Sequence, residues 1–178
     1  MIEGKEYLTA EQKTSLLEIA TMEGDFVLAS GAHALQKFEF DLVPGDSIIF
    51  LNIIMGLREC ILDNNSGFDA VLTVANGATR LGNQLGQELQ VPHLRSSYGV
   101  DQAGRKRFSV SSMVEVRKVV IVDDVFTRGT NATKVMAAAE SQGIETMGVV
   151  VVLDRSEIAT PSIGGNIAVA SLIRHQLR

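Results

Sequence analysis

The chain has 178 residues and a formal net charge of −5. That length fits one domain, and the acidic balance denies it the broad basic face that a nucleic-acid footprint needs. Apolar residues make up 46% and charged residues 21%; this is too apolar for a disordered chain, yet no apolar run approaches the roughly 18 residues that span a membrane.

The N-terminus, Met1-Ile2-Glu3-Gly4-Lys5, lacks an apolar stretch behind a basic start, so no signal peptide is expected. A first helix is expected from Ala10 to Glu23, with a Thr9/Gln12 capping box at its start, Gly24 at its end and Leu16, Ile19 and Ala20 as its apolar stripe. Two short strands, Asp25–Ala29 and Lys37–Leu42, follow around a turn at Ser30-Gly31. Pro44-Gly45-Asp46 opens a second helix whose buried face is Phe50, Ile53, Ile54, Leu57 and Ile61. The lone cysteine, Cys60, has no partner for an internal disulfide, which places the chain in a reducing cytoplasm.

From Ala70 the pattern alternates. Strands are expected at Ala70–Val74, Pro92–Ser96, Val116–Val122, Thr146–Leu153 and Ile167–Ile173. Helices are expected at Ala78–Gln90, where Gly82 and Gly86 permit close approach to a sheet, and at Thr130–Gln142, ended by Gly143. Continuous Val/Ile strands separated by helices predict an α/β fold with a central, mainly parallel sheet covered on both faces. Ligands of such sheets bind at the carboxyl ends of the strands. We divide the expected single domain, 1–178, into a hood and first helix (1–43), a core (44–154) and a C-terminal strand and tail (155–178).

The segment richest in chemistry is Val119–Asn131. Four apolar residues end in Asp123 and Asp124; Val125, Phe126, Thr127, Arg128 and Gly129 follow, and Thr130 and Asn131 open a helix. Loop amides and the unpaired N–H groups of a helix start favour a phosphate. The adjacent carboxylates would repel that phosphate and need donors instead, such as vicinal sugar hydroxyls or a divalent cation. An anion cradle beside a hydroxyl clamp suits a ribose 5-phosphate. The plainer alternative is an ordinary strand–turn–helix in which Asp124 caps a turn and Asp123 is solvated.

Val119–Asn131 resembles the PRPP-binding signature of type I phosphoribosyltransferases, and the order of elements over most of the chain is most similar to the members that use orotate. The resemblance implies that Asp123 and Asp124 hold the ribose hydroxyls of PRPP and that Asp123–Asn131 form the ribose and 5-phosphate site. It makes Ala75, Asn76 and Gly77, after the strand Ala70–Val74, the pyrophosphate loop, although orotate enzymes often carry a Lys at the position of Gly77. It makes Ser97–Ser109 a mobile lid whose cations here are Arg105, Lys106 and Arg107. At the family's lid Arg-Lys and further Lys this chain has Ser97, Tyr98 and Asp101, so Arg95 or Arg105–Arg107 would have to replace those cations.

The strand end Leu153-Asp154-Arg155 matches a family triplet, which implies that Arg155 binds the orotate carboxylate and that base recognition involves Thr127 and Arg155. The plainer reading of Arg155 is a surface ion pair with Asp154 or Glu157. Gly24–Gly31 is similar to the start of the family's hood, with His33 in place of a usual Lys; His93 and His175 carry no signal. The resemblance implies transfer of phosphoribose from PRPP to orotate, Mg²⁺ carried by PRPP with no direct protein ligand, and a homodimer sharing lids. It leaves open transfer to a purine or uracil, and a non-catalytic PRPP-binding regulator.

Overall fold

A computed structural model of the protein describes residues 5–27, 33–75, 77–111 and 115–175. Helix α1 (Ala10–Ala20) starts at the expected capping box: Thr9 Oγ1 accepts from the Gln12 amide at 3.2 Å, and Gln12 Oε1 accepts from the Thr9 amide at 2.8 Å. It ends three residues before the expected Glu23. Thr21 turns extended because Thr21, Met22 and Glu23 pair with Phe38, Lys37 and Gln36, so strand β1 (Thr21–Val27) takes over and Gly24 lies inside it. Its antiparallel partner is β2 (His33–Phe38), four residues earlier than predicted, and Phe40–Leu42 form a 3₁₀ turn instead of strand. Leu16 and Ala20 are buried, but Ile19 of the expected stripe is 38% exposed. The predicted turn at Ser30-Gly31 and the end of the first predicted strand lie outside the described residues.

Helix α2 (Ile48–Asn64) begins at Ser47, whose Oγ accepts from the Phe50 amide at 3.1 Å, two residues after the predicted start region. Its expected face, Phe50, Ile53, Ile54, Leu57 and Ile61, is buried as predicted.

The main sheet contains β3 (Ala70–Thr73), β4 (His93–Val100), β5 (Lys106–Ser111), β6 (Lys118–Phe126), β7 (Glu145–Asp154), β8 (Ser162–Ile163) and β9 (Ile167–Arg174). Their spatial order is β5-β4-β3-β6-β7-β9-β8. The central five run parallel, and the edge strands β5 and β8 are antiparallel to their neighbours. The short β8 carried no sequence signal. Helix α3 (Thr79–Leu89) connects β3 to β4, and α4 (Thr130–Glu140) connects β6 to β7.

The absence of polar alternation in β6 and β7 has its expected cause. Val120, Val122, Val150 and Val152 pack with α1, α2 and α3 on one face, while Val119, Ile121, Val149 and Val151 pack with α4 on the other. Full burial of each such side chain contributes about 1.5–3 kcal/mol. Gly82 brings α3 against the sheet as predicted: a Cβ there would stand 2.3 Å from Thr73 Cγ2 and from His93 Nε2.

Two boundaries matter for function. Strand β4 runs past the predicted Ser96 to Val100 and turns back through residues 101–105 into β5, so the expected lid is an antiparallel hairpin. Strand β6 continues to Phe126, so the paired acids sit within strand and remain in register with β7, Asp123 opposite Val151 and Val125 opposite Leu153. The ends of β3, β6 and β7 then place residues 75, 77–78, 127–131 and 155 at the carboxyl end of the parallel strands.

Candidate ligand-binding cleft

At that edge the end of β6 opens on a cleft of about 450 Å³. Asp123 and Thr127–Asn131 wall one side, Gly104, Arg105 and Lys106 of the β4–β5 hairpin wall the other, and Lys134 projects from α4. Lys134 escaped the sequence reading. Its one legible signal was position, one helical turn after Thr130 and so on the same face.

Gly129 lets the loop make its bend. It has a φ of +67°, and a Cβ there would lie 2.6 Å from the Phe126 ring and 2.7 Å from Ile163 Cγ2. No side chain caps α4 at Gly129. The first-turn amides and the positive end of the helix dipole therefore face the cleft without a capping acceptor, which is the arrangement that binds an anion.

The two carboxylates are half-buried and take few internal donors. Asp123 Oδ1 accepts from the Asp124 amide at 3.0 Å, and Asp124 Oδ1 accepts from the Val125 amide at 2.8 Å. Among the described residues no cation pairs with either. Burial, reinforced by the charge of Asp124, holds Asp123 well above the ordinary carboxylate range; burial also raises Asp124. Acceptors in this state gain from hydroxyl donors or from a cation brought by a ligand.

Asp123 lines the cleft, whereas Asp124 faces the loop after β3. A Cβ on Gly77 would stand 2.6 Å from Asp124 Oδ2, so glycine is what allows this loop to reach the acids. The Ala75 amide donates to Ser96 Oγ at 2.9 Å, which ties the loop to β4. Asn76 lies outside the described residues. Gly77 thus approaches Asp124, and neither it nor Ala75 lines the cleft itself.

The hairpin cations are organised by the residues that depart from the family pattern. Asp101 Oδ2 accepts from Arg105 Nε at 3.0 Å and from Arg107 Nε at 3.1 Å, and Lys106 Nζ lies over the Tyr98 ring, 4.3 Å from its centre. Arg105 and Lys106 reach the cleft; Arg107 does not line it. Arg95 turns to α3, donating from Nη2 to Asn83 Oδ1 at 3.0 Å. Ser97 and Ser109 pair their hydroxyls across the hairpin at 3.0 Å.

Arg155 donates its amide to the Phe126 carbonyl at 2.8 Å, which fixes it beside the strand end that carries the acids. It forms an ion pair with neither Asp154 nor Glu157; Asp154 pairs with Arg174 Nε at 3.4 Å. Its own Nε is buried with no hydrogen-bond partner, and burial lowers its pKa. Arg155 opens on an adjoining cleft of about 330 Å³ with Arg174 and His175, so the structure places it on the same edge but not in the cleft of Asp123.

The histidines separate clearly. His33 meets Asp25 on the surface at 3.1 Å. His93 is wedged between Thr73 Oγ1 at 2.8 Å and Asn83 Oδ1 at 2.9 Å, and burial pushes its pKa down to about 4. Among the described residues no group of three His, Cys, Asp or Glu is placed to hold a metal ion, and no helix is long and apolar enough to cross a membrane.

Residues 46–173 match the family described as the phosphoribosyl transferase domain. An orotate phosphoribosyltransferase of Aeropyrum pernix is 30% identical over 142 residues, 78% of this chain and 74% of its own length. One from Pyrobaculum calidifontis is 28% identical over 145 residues, 79% of this chain and 72% of its own length. The crystal structure of orotate phosphoribosyltransferase from Aeropyrum pernix superposes with a TM-score of 0.75 at 24% identity, covering 92% of each chain. Adenine phosphoribosyltransferase from Rhodothermus marinus superposes with a TM-score of 0.70 at 15% identity, covering 94% of this chain and all of the other.

Proposed function

The chain belongs to the phosphoribosyl transferase domain family, and from that membership we propose that it transfers the 5-phosphoribosyl group of PRPP to orotate, yielding orotidine 5′-phosphate and pyrophosphate in pyrimidine nucleotide biosynthesis. The observation that carries this reading is the juxtaposition, in one cleft, of Asp123 and the uncapped Thr127–Asn131 loop. Relatives named orotate phosphoribosyltransferase at 26–30% identity favour orotate as the acceptor.

The chemistry follows from that placement. The Thr127–Asn131 amides and hydroxyls take the 5-phosphate, and Asp123 and Asp124 accept the ribose hydroxyls. A ring nitrogen of orotate attacks C1 while the C1–O bond to pyrophosphate breaks, and the proton of that nitrogen passes to the departing pyrophosphate. Positive charge develops on the sugar, and the two acids, short of internal donors, stabilise it. Residues 75–77 serve as the pyrophosphate loop, with the Gly77 amide as a donor for the leaving group; the Ala75 amide is already held by Ser96 Oγ. Arg155, with its unpartnered Nε, takes the orotate carboxylate. Holding both reactants can contribute several kcal/mol to the rate.

Mg²⁺ fits this scheme as an ion bound to the pyrophosphate of PRPP, where it would neutralise leaving-group charge. The acceptor-only pair Asp123 and Asp124 suits the water shell of such an ion. The cytoplasm is the compartment in which these substrates and a free cysteine coexist. We further propose that 1–178 forms one domain and that two copies associate. Ile48, Leu51, Met55 and Leu62 form an apolar stripe on α2 with exposures of 40–68%, which a second copy would cover.

The deciding measurement is loss of orotate absorbance with PRPP and Mg²⁺. Turnover with orotate in preference to adenine, hypoxanthine and uracil supports the reading; turnover with one of those bases alone replaces the acceptor. PRPP binding without turnover on any base would instead make the chain a regulator. The capture of Arg105 and Arg107 by Asp101 is the observation that favours that second reading.

A further inference from the structure

We propose that Arg80 is a positioning residue for pyrophosphate binding: it bolts the first turn of α3, and with it Gly77, to the turn of residues 40–43 that ends the hood. This rests on the phosphoribosyl-transfer reading and adds to it a residue outside the cleft of Asp123.

Arg80 is the second residue of α3, and Gly77 lies three positions before it. Its guanidinium meets two carbonyls, a carboxylate and two rings. Nη2 donates to the Val43 carbonyl at 2.7 Å, and Nη1 donates to the Asp41 carbonyl at 3.4 Å and lies 3.7 Å from Asp41 Oδ1. The centre of the Phe50 ring is 5.0 Å away and that of the Phe40 ring 5.9 Å away. A Cβ on Gly45 would stand 3.3 Å from Nη2, so this glycine leaves the room that the guanidinium occupies. A planar fork can donate in two directions while its faces rest on rings, which the single ammonium of lysine cannot do.

These contacts reach pyrophosphate through the loop before α3. No side chain caps α3 at Ala78, so the helix start takes its position from its neighbours. The Ala75–Ser96 bond ties the loop to β4, and Arg80 supplies a second tie, to the segment that leads into α2. Gly77 stands where a Cβ would be 2.6 Å from Asp124 Oδ2. A shift of this turn would press Gly77 on that carboxylate or draw its amide away from the leaving group, and small misplacements of binding groups are costly. The gripped turn also neighbours the acids. Burial raises the pKa of Asp124, and the charge of Glu39, one residue before Phe40, raises it further.

Two ligands and one exchange rate test this. Pyrophosphate reads the loop after β3, and ribose 5-phosphate reads the loop after β6. Arg80→Ala is expected to weaken pyrophosphate and PRPP about tenfold, the scale of one hydrogen bond to a charged group, with ribose 5-phosphate unchanged by calorimetry. Arg80→Lys is expected to recover part of that loss. Hydrogen exchange of the Gly82 amide, which donates to the Ala78 carbonyl at 3.0 Å, should quicken about tenfold in Arg80→Ala, while the Thr133 amide, bonded to the Gly129 carbonyl at 2.8 Å, keeps its rate. Unchanged pyrophosphate affinity, or equal losses for pyrophosphate and ribose 5-phosphate, overturns the role. If Arg80→Ala fails to fold, Arg80→Lys must show the same split on a smaller scale, and its absence overturns the role as well. A wild type that takes neither ligand removes the phosphoribosyl-transfer reading instead, and the Gly82 rate still decides whether Arg80 fixes this turn.

Discussion

At the scale of single residues, the site is defined by what Asp123 and Asp124 lack. Among the described residues each accepts one neighbouring backbone amide and pairs with no cation, although both are half-buried. Replacing both by Asn is expected to weaken PRPP by about a hundredfold or more, since each charged hydrogen bond lost costs about 1.5–3 kcal/mol; calorimetry with unchanged affinity would refute this. The same burial opposes folding. Because the native pKa of Asp123 is raised, its contribution to stability is fully present below the unfolded-state value near 4 and is lost as pH rises through the native value. Asp123→Asn is therefore expected to raise Tm at pH 8, with a gain that shrinks toward pH 4. A gain that grows on acidification would reverse the sign assigned here. Arg155→Ala should raise KM for orotate about 10–100-fold through loss of a charged contact, while KM for PRPP moves far less; equal losses would detach Arg155 from base binding.

At the scale of elements, short loops carry more of the design than the strands they join. Gly129 holds a left-handed turn with two apolar groups inside 3 Å of any added Cβ. Gly129→Ala is expected to cost about 1–2 kcal/mol for the backbone alone, lowering Tm by about 2–8 °C, and to reduce PRPP affinity as the anion cradle deforms; an undisturbed Tm would contradict the strain. The β3–α3–β4 unit hangs on His93, wedged between Thr73 and Asn83. Its depressed pKa means that stability is lost as pH falls from 6.5 toward about 4, where the unfolded chain binds a proton that the folded chain refuses. His93→Gln should flatten that part of the stability profile. The anchoring of β3 and β4 was invisible in sequence because Thr73, Asn83 and His93 are far apart along the chain and none belongs to a motif.

At the scale of the whole molecule, the apolar stripe on α2 is left uncovered by the described residues of the isolated chain. Leu51→Glu with Met55→Glu is expected to shift sedimentation from dimer to monomer. A dimer that persists would direct attention away from α2. Much of the scaffold was legible beforehand. The Val/Ile runs of β6 and β7 report burial on both faces, and the Thr9/Gln12 box marks a helix start by local hydrogen bonding alone. Helix and strand ends were less legible. Thr21–Glu23 read as helix until pairing with Phe38, Lys37 and Gln36 made them strand, a choice made by residues some fifteen positions away.

The sequence by itself determined the order of elements, the α/β class and the Val119–Asn131 segment, because these depend on periodicity and on residues adjacent along the chain. The tertiary structure alone decided that Gly77 abuts Asp124, that Arg105, Lys106 and Lys134 line the cleft of Asp123 while Asp101 binds Arg105, and that Arg155 opens on a neighbouring cleft. Those facts depend on sheet order and on the curl of a hairpin, which bring distant side chains within reach through packing that no local pattern encodes.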